Sequence, residues 1–327
     1  FNNLLFQKDE ENWSLQTKST GEISEVIKNT PEKFQYLFKD HELSGLISAD
    51  IQIQKENGLS NPYCNIDFEL ENTNYKSKTQ PFLLSDISTK ANFNNGSFRN
   101  FSTSVFKFKN FESVKQKGII KGEFTLSNLN KYFLNANLFS SWKLQELNDF
   151  ITESPFKNLK GEIFGDIYYN GNISFEENFP EYFELSQHTA NLNFKNVSFN
   201  YKNSPLNFST DEMNWKIENH NILFNNENLY VNKTDLNFKG EVQHLFLYLL
   251  DLKDKISING DVSSKIMNFK EVLSISDIDG GVEEFKSVLP NWIDTKIELN
   301  VGLFYFENFN ANNLFGEIEY NSNKLKL

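Results

Sequence analysis

Apolar and polar residues alternate at every second position along much of this 327-residue chain. Residues 64–70, for example, place Ile66, Phe68 and Leu70 on one side of an extended segment and polar residues on the other. Because successive side chains of a β-strand point to opposite faces of the sheet, this pattern predicts long antiparallel strands with one apolar face. The same alternation occurs in residues 104–109, 190–195, 228–238 and 295–301.

Turn and helix signals divide these strands. Asn-Gly pairs favour the positive φ angles of tight hairpins, so we predict turns at residues 95–96, 170–171 and 259–260. Apolar residues spaced as on one face of a helix are confined to short stretches, so the predicted helices are short. They lie at residues 23–27, 34–38, 144–151, 242–250 and 282–289.

Short motifs recur in the same order, with a period of about 120 residues. Leu43–Ile51 aligns with Leu159–Ile167, and Lys121–Phe124 aligns with Lys239–Val242. A third, weaker match joins residues 144–147 and 269–272. We therefore predict a mainly β fold, an elongated and curved antiparallel sheet built of repeated modules, with short helices at the module boundaries.

The repeat predicts one continuous β domain over residues 1–327. Its modules are the end of a preceding repeat at 1–21, two repeats at 22–143 and 144–268, and the start of a following repeat at 269–327. Because Phe1 begins inside a strand pattern, we expect the chain to be an internal piece of a longer protein.

Repeats that stack along one axis extend a sheet without closing it, which leaves an apolar face. Two interpretations of this face stay open: the sealed core of a sandwich, or a hydrophobic groove that holds a ligand. Under the groove interpretation, strand parity predicts which side chains line it. The candidates are Ile51, Ile53, Ile66, Phe68, Leu70, Leu192, Phe194, Leu236, Phe238, Ile297 and Leu299.

Residues with catalytic or metal-binding chemistry form no recognisable pattern. The four histidines are far apart in the sequence, at positions 41, 188, 220 and 244, and we expect them to be scattered. The single cysteine, Cys64, excludes an internal disulfide, and we interpret it as a structural thiol. No phosphate-binding loop or nucleophile elbow is present. We therefore expect no enzymatic activity, no metal and no cofactor, and the net charge of −12 disfavours a nucleic-acid partner.

The last part of the chain resembles a known family. Leu289-Pro290 precedes alternating strand residues up to 306, and residues 313–320 and 324–327 follow as two further strand motifs. This arrangement resembles the C-terminal region of AsmA-like proteins, and residues 159–163 and 235–240 are similar to strand motifs of the same family. The resemblance covers most of residues 140–327 and, more faintly, 22–140. The Asn- and Lys-rich composition is similar to that of members from the Bacteroidetes group.

The resemblance implies an envelope protein of Gram-negative bacteria whose β-rich body lies in the periplasm. Family members are held in the inner membrane by an N-terminal helix, so attachment is expected through a segment outside this sequence. They are similar to bridge-like lipid-transfer proteins, in which a folded-over sheet forms a groove for acyl chains. The implied function is carrying phospholipid or another acylated lipid between the inner and outer membranes, which supports outer-membrane biogenesis, with other envelope proteins as further partners. The alternative is a non-catalytic β-solenoid scaffold or adhesin of the cell envelope with a sealed core.

Overall fold

A computed structural model describes residues 2–9, 11–29, 39–78, 83–115, 118–149, 156–174, 179–201, 207–268, 292–306, 308–321 and 324–326. In this part of the chain the protein is mainly β, as the alternation predicts, with three short α-helices and one 3₁₀ helix. The strands are β1 (Asn2–Asp9), β2 (Asn12–Glu22), β3 (His41–Lys55), β4 (Tyr63–Ser77), β5 (Leu83–Asn94), β6 (Val105–Lys115), β7 (Gly118–Ser127), β8 (Phe133–Lys143), β9 (Phe156–Asn172), β10 (Gln187–Tyr201), β11 (Asn207–Glu218), β12 (Asn221–Val231), β13 (Thr234–Gln243), β14 (Ile256–Asn268), β15 (Ile293–Phe306), β16 (Phe309–Asn321) and β17 (Lys324–Lys326).

Strand pairing follows the order of the chain. Each strand from β1 to β7 pairs antiparallel with the next, and so does each strand from β10 to β13. The β14–β15 pair is parallel, and antiparallel pairing resumes from β15 to β17. A parallel pair needs a crossover connection of a dozen or more residues, and the 269–292 segment is long enough to supply one.

The chain divides into two compact units. Unit 1 comprises Phe1–Ser141 and Asp166–Gln187, and unit 2 comprises Trp142–Gly165 and His188–Leu327. The boundaries therefore fall within β8, β9 and β10, and the first ten residues of β9 belong to unit 2. The apolar side chains of each unit are described separately below.

The helices lie between strands. They are α1 (Ile23–Lys28), a 3₁₀ helix (Leu144–Asp149), α2 (Phe179–Leu185) and α3 (Leu245–Leu249). Helix α1 confirms the prediction at 23–27, whereas the segments predicted at 34–38 and 282–289 lie outside the described residues. The predicted 242–250 helix is shorter than expected because Val242 pairs with Ile222 in the sheet. Helix α2 was not predicted.

Two predicted turns are strand interiors instead. Asn95-Gly96 does lie in the connection between β5 and β6, as expected. Asn170-Gly171 lies within β9, and Asn259-Gly260 lies within β14. Gly260 is directly opposite Gly240, and a Cβ added to it would be 2.7 Å from the Gly240 Cα. This glycine thus allows a close approach of two strands and does not form a turn. The alternating run at 228–238 is likewise two strands, since the chain turns at 232–233.

Candidate functional site

The strand register in unit 1 places one set of predicted side chains on a single face. Ile51 is opposite Ile66, and Ile53 is opposite Cys64. Directly opposed residues in an antiparallel pair share a face, and so do alternate residues of one strand. All five predicted lining residues of this unit therefore project from the same side of the sheet: Ile51, Ile53, Ile66, Phe68 and Leu70.

Apolar side chains continue on this face in two rows from β3 to β8. The first row comprises Ile51, Ile66, Phe93, Phe106, Leu126 and Leu134, each opposite the next. The second row comprises Ala49, Phe68, Ala91, Phe108, Phe124 and Ala136. Neighbouring strands are about 4.8 Å apart, so each row is about 24 Å long. We call these two rows the apolar face of unit 1.

Aromatic rings pack against one another along this face. The ring centroids of Phe93 and Phe106 are 4.7 Å apart, and those of Phe108 and Phe124 are 4.3 Å apart. Phe68 makes edge contacts with Phe106 at 6.5 Å and with Phe108 at 6.2 Å. These lateral contacts help to hold the rings in place.

The opposite face of the same strands is polar. Asn92 donates hydrogen bonds from Nδ2 to Asn65 Oδ1 at 3.0 Å and to Asp67 Oδ1 at 2.8 Å. The Lys90 ammonium lies 3.6 Å from the Glu69 carboxylate. Charged and amide groups of this kind remain hydrated, so this is the side of the sheet that faces water.

The exposure of the apolar face in unit 1 is intermediate. Its five phenylalanines are half-buried, whereas the small residues Ala91 and Ala136 between them are 7% and 3% exposed. Side chains in the core between two sheets would be almost fully buried on both rows. The described part of unit 1 therefore shows a sheet face whose aromatic rings pack against their neighbours and are only partly buried.

In unit 2 the register also places predicted residues among other apolar side chains. Leu192 is opposite Trp215, Phe194 opposite Met213, and Ile297 opposite Ile318. On the strands between them, Leu236 is opposite Leu229, Phe238 is opposite Val262, and Leu299 lies beside Val262 across the parallel pair.

Part of the unit 2 face is more deeply buried. Phe194 is 6% exposed because Leu144 of the 3₁₀ helix packs with it and with Val197. Leu299 is 8% exposed and belongs to a second cluster with Val301, which is fully buried. The other predicted residues of this unit, Leu192, Leu236, Phe238 and Ile297, are half-buried.

Several residues of these surfaces are absent from the predicted set. Phe106 and Phe108 alternate with lysines in the 104–109 run, so the alternation could have identified them. Trp215 alternates with polar residues between Met213 and Ile217, so the same pattern could have identified it. Phe93 and Phe124 lie in shorter alternating stretches, and the pairing of their strands with β4 and β6, respectively, shows their position.

Two of the histidines come together, contrary to the expectation that all four are scattered. The ring centroids of His188 and His220 are 5.0 Å apart, because the pairing of Thr189 with Glu218 brings the start of β10 beside the turn after β11. Among the described residues, no three His, Cys, Asp or Glu side chains form a group that could hold a metal ion. The Cys64 thiol is half-buried opposite Ile53, on the same side of the sheet as the apolar face of unit 1, and burial raises its pKa.

No helix in the described ranges has the length and apolar character needed to span a membrane. Comparison of the chain with protein-family models, curated proteins and solved structures gave no match.

Proposed function

We propose that this protein binds and conducts phospholipid or another acylated lipid on its apolar sheet face. The AsmA-like resemblance supports the finer parts of the proposal, namely a location in the periplasm, inner-membrane attachment through a further segment, and transfer between the two membranes. No catalysis is involved, since shielding an acyl chain from water needs only a continuous apolar surface.

The two half-buried rows of unit 1 are the observation that carries the proposal. A row of about 24 Å exceeds the hydrocarbon depth of one bilayer leaflet, which is half of about 30 Å, so it can accommodate one acyl chain. Each CH₂ group transferred from water to such a surface contributes about 0.8 kcal/mol. Along these rows of unit 1 the headgroup remains in water, and the uniform aliphatic and aromatic lining offers no deep energy minimum that would stop movement.

Photocrosslinking tests this assignment directly. The photoreactive phenylalanine analogue benzoylphenylalanine is placed at Phe108, and the matched control places it at Phe139 of the same unit. Phe139 projects from the opposite face, where the Lys121 ammonium lies 5.1 Å from its ring centroid. After expression in cells and purification without detergent, we expect lipid adducts by mass spectrometry at position 108 and none at position 139.

Two outcomes would contradict the proposal. One is equal adduct formation at both positions, which would indicate nonspecific contact with lipid. The other is a protein that folds normally, carries no lipid on native mass spectrometry and gives no adduct at position 108.

A scaffold or adhesin with a sealed core is the second candidate function. The buried Phe194, Leu299 and Val301 of unit 2 favour it for that part of the chain. The benzoylphenylalanine analogue at Phe238, which is half-buried in unit 2, distinguishes the two. A sealed core gives only protein–protein crosslinks there, whereas a lipid-binding surface gives lipid adducts.

A further inference from the structure

The backbone ladder between β11 and β12 opens in its middle. The two strands pair at Ser209–Tyr230, pairing then stops, and it resumes at Lys216–Leu223. On the other side of β12, the register with β13 shifts between Phe224 and Glu227, and Asn226 has a φ of 59°. This β-bulge lies in the same part of β12 as the interruption of its pairing with β11.

An open hollow of about 300 Å³ lies at this opening. Leu192, Trp215 and Phe224 contribute apolar surface to it, and Glu227 contributes a carboxylate. The ring centroids of Trp215 and Phe224 are 5.8 Å apart, and Phe238 follows Phe224 at 5.3 Å. The hollow thus combines aromatic walls with one acidic group.

The Glu227 carboxylate is buried with few partners. The residue is 7% exposed, and its Oε2 accepts a hydrogen bond from the Asn214 backbone N–H at 2.8 Å. No other hydrogen bond and no ion pair of Glu227 is found within the described ranges, and Lys216 at the same hollow pairs with Glu218 at 2.6 Å. Burying a carboxylate is costly unless its charge is compensated, and Glu227 has no cationic partner among the described residues.

Asp235, a second carboxylate of unit 2, provides a comparison. Its oxygens accept hydrogen bonds from the backbone N–H groups of Lys265 and Ile266 at 3.1 and 3.0 Å and from the Ser264 hydroxyl at 3.3 Å. This carboxylate is satisfied within the fold. Glu227 differs in having one donor, and the nearby Trp215 Nε1–H also has no acceptor within the described part of the chain.

We propose that the hollow between β11 and β12 binds the ammonium group of an amphiphile, with Glu227 as its counter-ion and Trp215 and Phe224 as its aromatic wall. An ammonium group donates to a carboxylate and is attracted to aromatic faces, which matches both components. The group is that of an aminophospholipid headgroup or of a simple alkylamine. The inference rests on the proposed lipid-binding function, and it adds a preference for one headgroup chemistry.

Lipid uptake from vesicles tests the first source of the ammonium group, an aminophospholipid headgroup. The intact protein is incubated with vesicles containing equal amounts of phosphatidylethanolamine and phosphatidylglycerol with the same acyl chains, and bound lipid is quantified by mass spectrometry. We expect about tenfold preference for phosphatidylethanolamine, because one charge-assisted hydrogen bond contributes a free energy that corresponds to such a ratio. E227Q keeps a carbonyl oxygen for the Asn214 N–H but removes the charge, so it should lose the preference and still take up both lipids. The matched control D235N should keep the preference.

Binding of octylammonium, compared with binding of octanol and followed by Trp fluorescence in the original protein and in E227Q, tests the second source, a simple alkylamine. Tighter binding of octylammonium than of octanol, if E227Q abolishes the difference, supports the site. If this result occurs without a preference for phosphatidylethanolamine in the vesicle experiment, the site is assigned to alkylamines. Equal uptake of both phospholipids together with equal binding of octylammonium and octanol overturns the inference and leaves the proposed function intact. Uptake of neither phospholipid overturns the proposed function, while the octylammonium result still decides whether the ammonium site exists.

Discussion

At the scale of single residues, His188 links the stability of the protein to pH. His188 is 7% exposed, and its backbone N–H and C=O are both hydrogen-bonded to Asn219. Burial, followed by the like charge of His220, lowers the pKa of His188 to about 4. The imidazole is therefore neutral in the folded protein over the whole physiological range.

We predict that this histidine makes stability fall as the solution is acidified from pH 6.5 towards 4. In this window the unfolded chain, with an ordinary His pKa of about 6.5, binds a proton that the folded protein excludes. The contribution of His188 is thus complete above pH 6.5 and is lost on acidification, by about 3 kcal/mol in total, of which about 2 kcal/mol is lost between pH 7 and pH 5. Urea unfolding at pH 7.0 and at pH 5.0 measures the difference.

H188Q provides the comparison, because glutamine has no titrating group at this position. The difference in unfolding free energy between the two pH values should be smaller in H188Q than in the original protein. An identical pH dependence in both proteins would show that other groups, and not His188, are responsible.

At the scale of strands, a specific backbone geometry recurs at positions that match in the sequence. Gly45 of β3 has a φ of +122°, and Gly161 of β9 has a φ of +121°. Each lies against a left-handed asparagine of the next strand, Asn72 with φ 49° and Asn196 with φ 50°. The duplication of the module stays a prediction. It leads us to expect the same backbone geometry at equivalent positions, and Gly45 and Gly161 share such a geometry.

Substitution of these glycines should destabilise the protein to a similar extent. An alanine Cβ at Gly45 would lie 2.6 Å from the Thr73 Cα, and one at Gly161 would lie 2.9 Å from the Val197 Cα. The positive φ of each glycine adds backbone strain for an alanine to these close contacts. We therefore expect G45A and G161A each to lower the unfolding free energy by about 2 kcal/mol or more, measured by chemical denaturation.

Gly21 of β2 is the matched control, since a Cβ added there meets no atom within 4 Å. G21A should change stability by less than about 0.5 kcal/mol. A large loss in only one of G45A and G161A would argue that the two positions are not equivalent.

At the scale of the whole molecule, an apolar sheet face that is only half-buried has a measurable consequence. A hydrophobic dye such as anilinonaphthalene sulfonate binds most folded proteins weakly and partly unfolded states strongly. Here we expect strong dye fluorescence from a protein that retains its near-ultraviolet circular dichroism and unfolds cooperatively, because the native fold itself presents the surface.

Added lipid should compete for this surface. A lysophospholipid is expected to displace the dye and to raise the melting temperature, since a ligand present at 100 times its Kd stabilises the native state by about 2.7 kcal/mol. Dye binding that begins only on heating, with no effect of lipid on the melting temperature, would instead indicate a sealed core.

The sequence by itself determined the class of fold and the orientation of side chains within each strand. Alternation is a local property, because the geometry of an extended backbone sends successive side chains to opposite faces whatever lies beside them. That is why Ile66, Phe68 and Leu70 could be assigned to one face from residues 64–70 alone. The short helix at 23–27 could likewise be predicted from the spacing of its apolar residues.

Only the tertiary structure decided which strands meet and how far each face is covered. The parallel β14–β15 pair, the Gly240–Gly260 contact and the His188–His220 pair all join residues that are distant or ambiguous in the sequence. Burial is decided in the same way. Phe68 and Phe194 occupy similar alternating runs, yet Phe194 is buried because Leu144 packs against it, whereas Phe68 is half-buried. Pairing and burial depend on contacts between distant segments, and no local pattern encodes them.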